Sequence, residues 1–188
     1  PLIEMWAVGR DGAMRFYSVE NTGASDAQVQ LEDANCNMCH ASLHPTAPGP
    51  MMMSVSTLSS GNVLSHDLDT DGRTPIAQRW GGWYVTGRHG DMRHRGNIVA
   101  DAAGPAAADA GQNLTSLAGR FAFSQYSRRT SDIVALMTLE HETGFLNFAG
   151  HVRALSGAGA APAVLDKAIE DLADYMLGVD GAVLSAPV

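Results

Sequence analysis

The residues with the most distinctive chemistry lie in one short stretch, Cys36-Asn37-Met38-Cys39-His40. It contains both cysteines of the chain, three positions apart, and a histidine directly after the second. C-x-x-C-H is the pattern to which a c-type haem is attached covalently. The two thiols form thioethers with the porphyrin vinyl groups, and the adjacent imidazole binds the iron from one side. The stretch therefore predicts one covalent haem c, anchored by Cys36 and Cys39, with His40 as the proximal iron ligand.

Other chemistry is compatible with two cysteines at this spacing. A structural disulfide or a redox-active dithiol would also use Cys36 and Cys39. A thioredoxin-like dithiol is expected at the start of a helix within a β-α-β pattern, and the sequence shows no such pattern. A zinc site needs two further ligands, and no second cysteine pair supplies them. Haem attachment is the leading interpretation, and a disulfide or a dithiol is the alternative.

At these five residues the chain resembles the c-type cytochromes. The resemblance implies a cytochrome c-like domain that wraps its haem, and one-electron transfer as the function. It also implies a periplasmic or extracellular protein, because haem c is attached on the exported side of a membrane. The implied partners are redox proteins, other cytochrome subunits included.

The second iron ligand must come from elsewhere in the chain. Residues 79–90 combine two tryptophans and a tyrosine with a glycine pair, which gives flat surfaces suited to a haem. Residues 84–90 resemble a segment of multihaem c-type cytochromes in which a histidine followed by glycine supplies the distal ligand. The resemblance makes His89 the predicted distal ligand of the one haem. His94 and Met92 are its nearest rivals, and a His/Met pair would raise the reduction potential relative to His/His.

His141 is the second choice for the distal position. It is placed at the centre of the apolar face of a predicted helix. That face also contains four apolar residues, Val134, Met137, Phe145 and Phe148. A lone histidine on such a face is more often a core residue, but an unplaced iron ligand makes it a candidate. Glu140 and Glu142 fall off this face, and we expect both to be solvated.

Two clusters near these candidates have competing interpretations. Four arginines lie around His89 in the sequence, namely Arg79, Arg88, Arg93 and Arg95. They could bind the haem propionates through bidentate hydrogen bonds, or form ordinary surface salt bridges. Two of them, Arg88 and Arg93, also suggest a peroxidase-like pocket together with His89 and His94. The run Met51-Met52-Met53 favours core packing over iron ligation.

An acidic stretch begins at Asp67 and has the D-x-D-x-D-G order of a calcium loop, ending at Gly72. The glutamate required at the twelfth loop position is absent, because position 78 is glutamine. The sequence therefore favours a solvated acidic turn over a calcium site.

Composition limits the class of partner. The 188 residues carry a formal charge of −8, which argues against nucleic acid as the main partner. Apolar runs are too short to cross a bilayer. The sequence begins at Pro1 without a signal-peptide pattern, so we expect a signal peptide to have been removed or the sequence to start late, and any membrane anchor to lie upstream of Pro1.

The hydrophobic pattern predicts a mainly α fold with long loops and a small N-terminal β-hairpin, organised as a single haem domain over residues 1–188. Asp-Gly between two apolar runs predicts the hairpin at about 4–19. Helices are predicted at about 26–40, at about 131–155 with Ser131 or Thr130 as the cap, and at about 162–177 from Pro162.

Three functions follow from a single haem c. With two protein ligands the iron can only transfer electrons, which is the leading prediction. With an open distal site the protein would be a haem enzyme of the peroxidase kind or a gas sensor. The third possibility is a haem subunit of a larger electron-transfer assembly.

Overall fold

The computed structural model describes residues 2–10, 14–20, 27–32, 36, 40, 52–60, 62–101, 104–105, 111–120, 124 and 128–188. The chain groups into two compact units. Pro1–Met51 and Phe145–Ala173 form the N-terminal unit, and Met52–Gly144 and Asp174–Val188 form the central unit. The sequence prediction of a single haem domain remains a prediction.

The N-terminal unit contains a three-stranded antiparallel sheet of order β1-β2-β3. Its strands are β1 (Leu2–Val8), β2 (Met14–Glu20) and β3 (Val29–Leu31). β1 and β2 pair at every position, so the hairpin predicted from the sequence is present. Aromatic and β-branched side chains in both strands favour this pleated structure. One face buries Phe16 and Ser18.

The central unit contains a second antiparallel pair, β4 (Met52–Thr57) and β5 (Val63–Thr70). Register shifts interrupt this pair after Ser54 and after Ser56. Two short strands, β6 (Ala100–Asp101) and β7 (Gly104–Pro105), pair nearby in the sequence. Met52 is buried in β4, as core packing of the methionine run requires, and Met51 lies outside the described residues.

The prediction of a mainly α fold is wrong, because the described residues form an α+β structure with five strands of three or more residues and two α-helices. The helix predicted at about 26–40 is wrong over Val29–Leu31, which form β3. Val29 and Leu31 alternate with Gln30, and this period of two fits a strand paired with β2. β5 escaped prediction because both of its faces are exposed, so its sequence carries no apolar alternation.

The two helices are α1 (Ile133–Gly157) and α2 (Pro162–Leu177), close to their predicted bounds. Asp132, rather than Ser131 or Thr130, caps α1, because its carboxylate accepts hydrogen bonds from the N–H groups of Val134 and Ala135. A glycine with positive φ follows each helix closely, Gly159 after α1 and Gly178 after α2. The backbone N–H bonds at both ends have the pattern of a Schellman motif.

Between β5 and α1 the central unit is built mostly from loops around a small apolar core. The core consists of Ile76, Trp80, Val85, Met92, Ile133 and Leu136. Hydrogen bonds from side-chain amides to backbone groups connect these loops, as backbone hydrogen bonds connect the strands of a sheet. Asn97 bonds both the N–H and the C=O of Val85, and Gln112 bonds both backbone groups of His94. These loops hold the histidines for which the sequence predicts iron ligation.

Candidate functional site

Cys36 and His40 are the described residues of the C-x-x-C-H motif, and both belong to the N-terminal unit. Cys36 and His40 both have helical backbone conformation and half-buried side chains. The Cys36 N–H donates to the Glu32 carbonyl at 3.2 Å, and the Glu32 N–H donates to the Phe16 carbonyl at 2.9 Å. Glu32 also accepts a hydrogen bond from the buried Ser18 hydroxyl at 2.8 Å. The segment is thus tied to the sheet just before its first cysteine.

The imidazole of His40 lies against the buried ring of Phe16, with centroids 5.8 Å apart and planes tilted by 37°. Cys39 lies outside the described residues. A thiol and an imidazole are two of the side chains that hold a covalent haem, and those of Cys36 and His40 are both half-buried. Attachment of haem at these residues stays a prediction.

His89 belongs to the central unit, where it is fully buried. Its Nδ1 lies 2.9 Å from the Met92 carbonyl oxygen, and its Nε2 accepts the Asn113 N–H at 2.9 Å. A ring that accepts at Nε2 and faces a carbonyl at Nδ1 carries its proton on Nδ1. The Asn113 side chain completes the arrangement by accepting the His89 N–H at 2.7 Å. For iron to bind Nε2, the hydrogen bond from Asn113 would have to break.

His94 is buried next to His89, with ring centroids 4.8 Å apart, and its ring also meets the edge of Trp80. Its Nδ1 accepts the Gly96 N–H at 3.0 Å, which places the proton on Nε2. Burial, with a smaller contribution from His89, lowers the pKa of His94 to about 4. The ring is therefore neutral at physiological pH.

The other candidates from the sequence have different surroundings. Met92 is buried in the apolar core, and its backbone carbonyl accepts a hydrogen bond from His89 Nδ1. His141 is exposed rather than central on a buried face, and its ring stacks on Tyr175 at 5.1 Å. The buried stripe of α1 instead runs through Ile133, Leu136, Glu140, Thr143 and Gly144. The structure thus brings His89, His94 and Met92 together but leaves His141 apart from them.

The arginines around His89 have different partners. Arg79 is buried on Glu140, and Arg95 bonds the Asp67 carboxylate at 2.7 Å. Arg88 and Arg93 are exposed, whereas His89 and His94 are buried. Arg93 Nη1 donates at 3.2 Å to the Met92 carbonyl, which also faces His89 Nδ1. For Arg79 and Arg95, ion pairing within the protein is the observed role.

The acidic stretch is part of β5 and the turn that follows it. Asp67 accepts hydrogen bonds from Ser56 and Ser65 as well as from Arg95, so its pKa is lowered despite partial desolvation. Asp69 pairs with His66 at 2.9 Å, and Asp71 pairs with Arg73. Each carboxylate thus has its own partner, and the three are not arranged as a calcium loop.

The strongest electrostatic feature, a buried ion pair, was missed by sequence reasoning. Arg79 Nη1 donates to Glu140 Oε2 at 2.9 Å, with 3% and 0% of the two side chains exposed. The same guanidinium donates to the carbonyls of Thr74 and Gly72. Burial raises the pKa of Glu140, and the charge of Arg79 offsets part of that rise. Glu140 was expected to be solvated, and this expectation is wrong because Arg79 compensates its charge inside the core.

Trp80 adds strain at the same place. It is fully buried with φ of 66°, a conformation that is unusual for a bulky side chain. The Trp80 indole and the Thr70 hydroxyl face the Glu140 carboxylate and lower its pKa. Even so, Trp80 Nε1 and Glu140 Oε1 have no hydrogen bond of good geometry with any described residue. Sequence patterns give no signal for such a contact, since the two residues are far apart in the chain.

Within the residues that the structure describes, no group of three or more histidine, cysteine, aspartate or glutamate side chains could hold a metal ion. Among the same residues, no helix has the length and apolar character that a membrane span requires. No protein-family model, curated protein or solved structure matches the chain. The candidate site therefore rests on the residues of this chain alone.

Proposed function

We propose that the protein is a c-type cytochrome that carries one covalent haem and transfers single electrons. The observation that carries the proposal is the sequence Cys36-Asn37-Met38-Cys39-His40, which contains every cysteine of the chain at the spacing of the attachment motif. Bound haem c would supply an iron that cycles between two oxidation states. We infer from this chemistry that the protein works in the periplasm or outside the cell, with redox proteins as partners.

The residues of the chain have separate tasks in this proposal. Cys36 and Cys39 anchor the group, and His40 binds the iron on the proximal side. The Phe16 ring packs against the His40 imidazole and would limit its rotation, while a nitrogen of the imidazole would bind the iron. The hydrogen bond from the Cys36 N–H to Glu32 holds the first anchor at the end of β3.

The proposal is tested by expressing the protein together with a haem c maturation system. Covalent haem should survive a denaturing gel, and a Cys36→Ser, Cys39→Ser double variant should lose it. His40→Ala should keep the covalent bond but change the low-spin optical spectrum, whereas His66→Ala, which removes an exposed histidine, should change neither. Absence of covalent haem in the parent, with two titratable thiols or a disulfide instead, would reject the proposal.

A haem enzyme or gas sensor is the second candidate, and the surroundings of His89 favour it. Both ring nitrogens of His89 are engaged by Met92 and Asn113, so the best distal ligand predicted from the sequence is already used within its own unit. An iron without a second protein ligand binds small molecules. Carbon monoxide binding to the reduced parent would favour this candidate, and a reduced spectrum unchanged by the gas would favour electron transfer.

A further inference from the structure

The buried carboxylate of Glu140 has a donor at one oxygen but not at the other. Oε2 accepts the hydrogen bond from Arg79 Nη1 at 2.9 Å, whereas Oε1 has no hydrogen bond with any described residue. The side chain is fully buried, so bulk solvent reaches neither oxygen. Buried polar atoms in proteins are nearly always satisfied, either by protein groups or by ordered water. Oε1 therefore requires a donor that the described residues do not supply.

The indole N–H of Trp80 is a buried donor beside this carboxylate. The ring is fully buried, and Nε1 has no hydrogen bond with any described residue. Burial raises the pKa of Glu140, and the Trp80 indole and the buried Thr70 hydroxyl are near enough to the carboxylate to offset part of that rise. An indole N–H can only donate, and an ionised carboxylate oxygen can only accept. The two unsatisfied atoms are thus neighbours of complementary type.

The position of the Trp80 indole is fixed by contacts on both sides of its backbone. The Trp80 carbonyl accepts the Trp83 N–H at 3.0 Å. The next N–H along the chain, that of Gly81, donates to the buried Ser54 hydroxyl at 2.8 Å. The indole ring itself packs against the edge of His94, with centroids 5.5 Å apart. A rotation of the indole toward the carboxylate would break these contacts.

The Glu140 carboxylate is held equally firmly. Its partner Arg79 donates from Nε to the Thr74 carbonyl at 2.6 Å and from Nη2 to the Gly72 carbonyl at 2.8 Å. The Glu140 carbonyl accepts the Tyr175 hydroxyl at 3.3 Å. A movement of the carboxylate toward the indole would therefore stretch the ion pair. A small third molecule can join the two atoms without moving either side chain.

We propose that one water molecule is bound in the core of the central unit, where it accepts a hydrogen bond from Trp80 Nε1 and donates one to Glu140 Oε1. Water fits because it donates and accepts at the same time. A metal cation has no lone pair for the indole N–H, and the carboxylate would repel an anion. The Thr70 hydroxyl offers the water a third partner, and about three partners are typical of a buried water.

The bound water would complete the surroundings of the buried ion pair. Each carboxylate oxygen of Glu140 would then have a donor, Arg79 at Oε2 and the water at Oε1. Hydrogen bonds to the charged form of a carboxyl group favour that form, so the water would help to keep Glu140 ionised. The positive φ of Trp80 would also acquire a purpose, since it holds the indole N–H where the water binds.

A crystal structure of the full chain, at a resolution that shows ordered water, tests the proposal without any variant and without any readout from haem. One oxygen peak should lie within about 3.2 Å of both Trp80 Nε1 and Glu140 Oε1. Either of two results would overturn the proposal. One is the absence of a peak beside these atoms, and the other is a direct hydrogen bond between Nε1 and Oε1.

Nuclear Overhauser effects between water and the indole protons test the same site in solution. The chain has three tryptophans, so Trp6→Phe and Trp83→Phe identify the Trp80 signal by elimination. The Trp80 Hε1 should show a cross-peak with long-lived water. The Hε1 of Trp83 is the internal control and should show none, because Trp83 Nε1 donates directly to the Met53 carbonyl at 2.9 Å.

Thr70→Val separates bound water from a hydroxyl proton that exchanges with solvent. The variant keeps the shape of the side chain but removes the hydroxyl near the carboxylate. The cross-peak at the Trp80 Hε1 should persist in this variant, since the indole and the carboxylate still hold the water. Loss of the cross-peak in Thr70→Val, or its absence from the parent, would refute the water site.

Discussion

Two regions of the molecule place histidine beside aromatic rings, and they differ in how deeply the imidazole is buried. In the N-terminal unit His40 is half-buried against Phe16, within a motif whose residues are adjacent in sequence. In the central unit His89 and His94 are buried near Trp80, and backbone groups from distant loops bond both nitrogens of His89 and Nδ1 of His94. Solvent reaches the half-buried imidazole, whereas the buried imidazoles hold loops together. On the proposed function, the first region supplies the chemistry and the second supplies stability.

The largest effect is expected at the ion pair that supports the second region. Glu140→Gln should lower the free energy of unfolding by about 3–5 kcal/mol, because the buried charge of Arg79 loses its counter-ion. Denaturant unfolding with Glu142→Gln as the control measures this, since Glu142 is exposed on the same helix. A loss below about 1 kcal/mol would mean that the raised pKa of Glu140 leaves it protonated in the parent, so that no ionic pair is removed.

The next effect tests whether His89 stabilises the loops or binds iron. His89→Phe keeps a ring in the core but leaves the Asn113 N–H without its acceptor and the Met92 carbonyl with Arg93 as its donor, so the free energy of unfolding should fall by about 1–3 kcal/mol. His66→Phe, at an exposed position, should change stability by about 0.5 kcal/mol or less. Unchanged stability together with an altered haem spectrum would assign His89 to the iron and remove the contrast between the regions.

The pH dependence of the free energy of unfolding tests whether buried histidines stabilise the central unit. The pKa of His94 is about 4 in the folded protein and about 6.5 when unfolded, so the unfolded chain binds more protons between these values and stability rises with pH across that window. At about 1.4 kcal/mol per pKa unit, the gain is at most about 3 kcal/mol. The raised pKa of Glu140 acts in the opposite direction, since its neutral form is favoured on folding.

His94→Gln should flatten the rise, because its side-chain oxygen can still accept the Gly96 N–H but does not titrate. His66→Gln is the control, since it removes an exposed histidine from the same unit and should leave the slope unchanged. Unfolding curves in urea between pH 4 and 7 provide the measurement. A slope that persists in His94→Gln would show that another group controls this window.

The contrast between the regions also explains what the sequence could predict. The C-x-x-C-H pattern is local, so the prediction of haem attachment by Cys36, Cys39 and His40 needs no knowledge of the fold, and it stays a prediction. The hairpin and both long helices were predicted because their periodicity is local as well. Glu140 was misread because its environment depends on Arg79, which is 61 positions away in the chain. The strand β5 was missed because its exposed residues show no apolar alternation. The hydrogen bond between His89 and Asn113 joins residues 24 positions apart, and no local pattern indicates it.

The smallest effect on stability is expected at the residue proposed to matter most for function. In haem-free protein, His40→Ala should cost about 1 kcal/mol, because the half-buried ring makes an aromatic contact with Phe16. In the matured protein the same change should abolish the low-spin spectrum, while His89→Ala should cost more in stability. Thermal unfolding of the haem-free variants, paired with optical spectra of the matured ones, separates the two quantities. If His40→Ala destabilised the haem-free chain as much as His89→Ala does, His40 would be a structural residue too. The exposure of an imidazole would then not separate an iron ligand from a histidine that holds loops together.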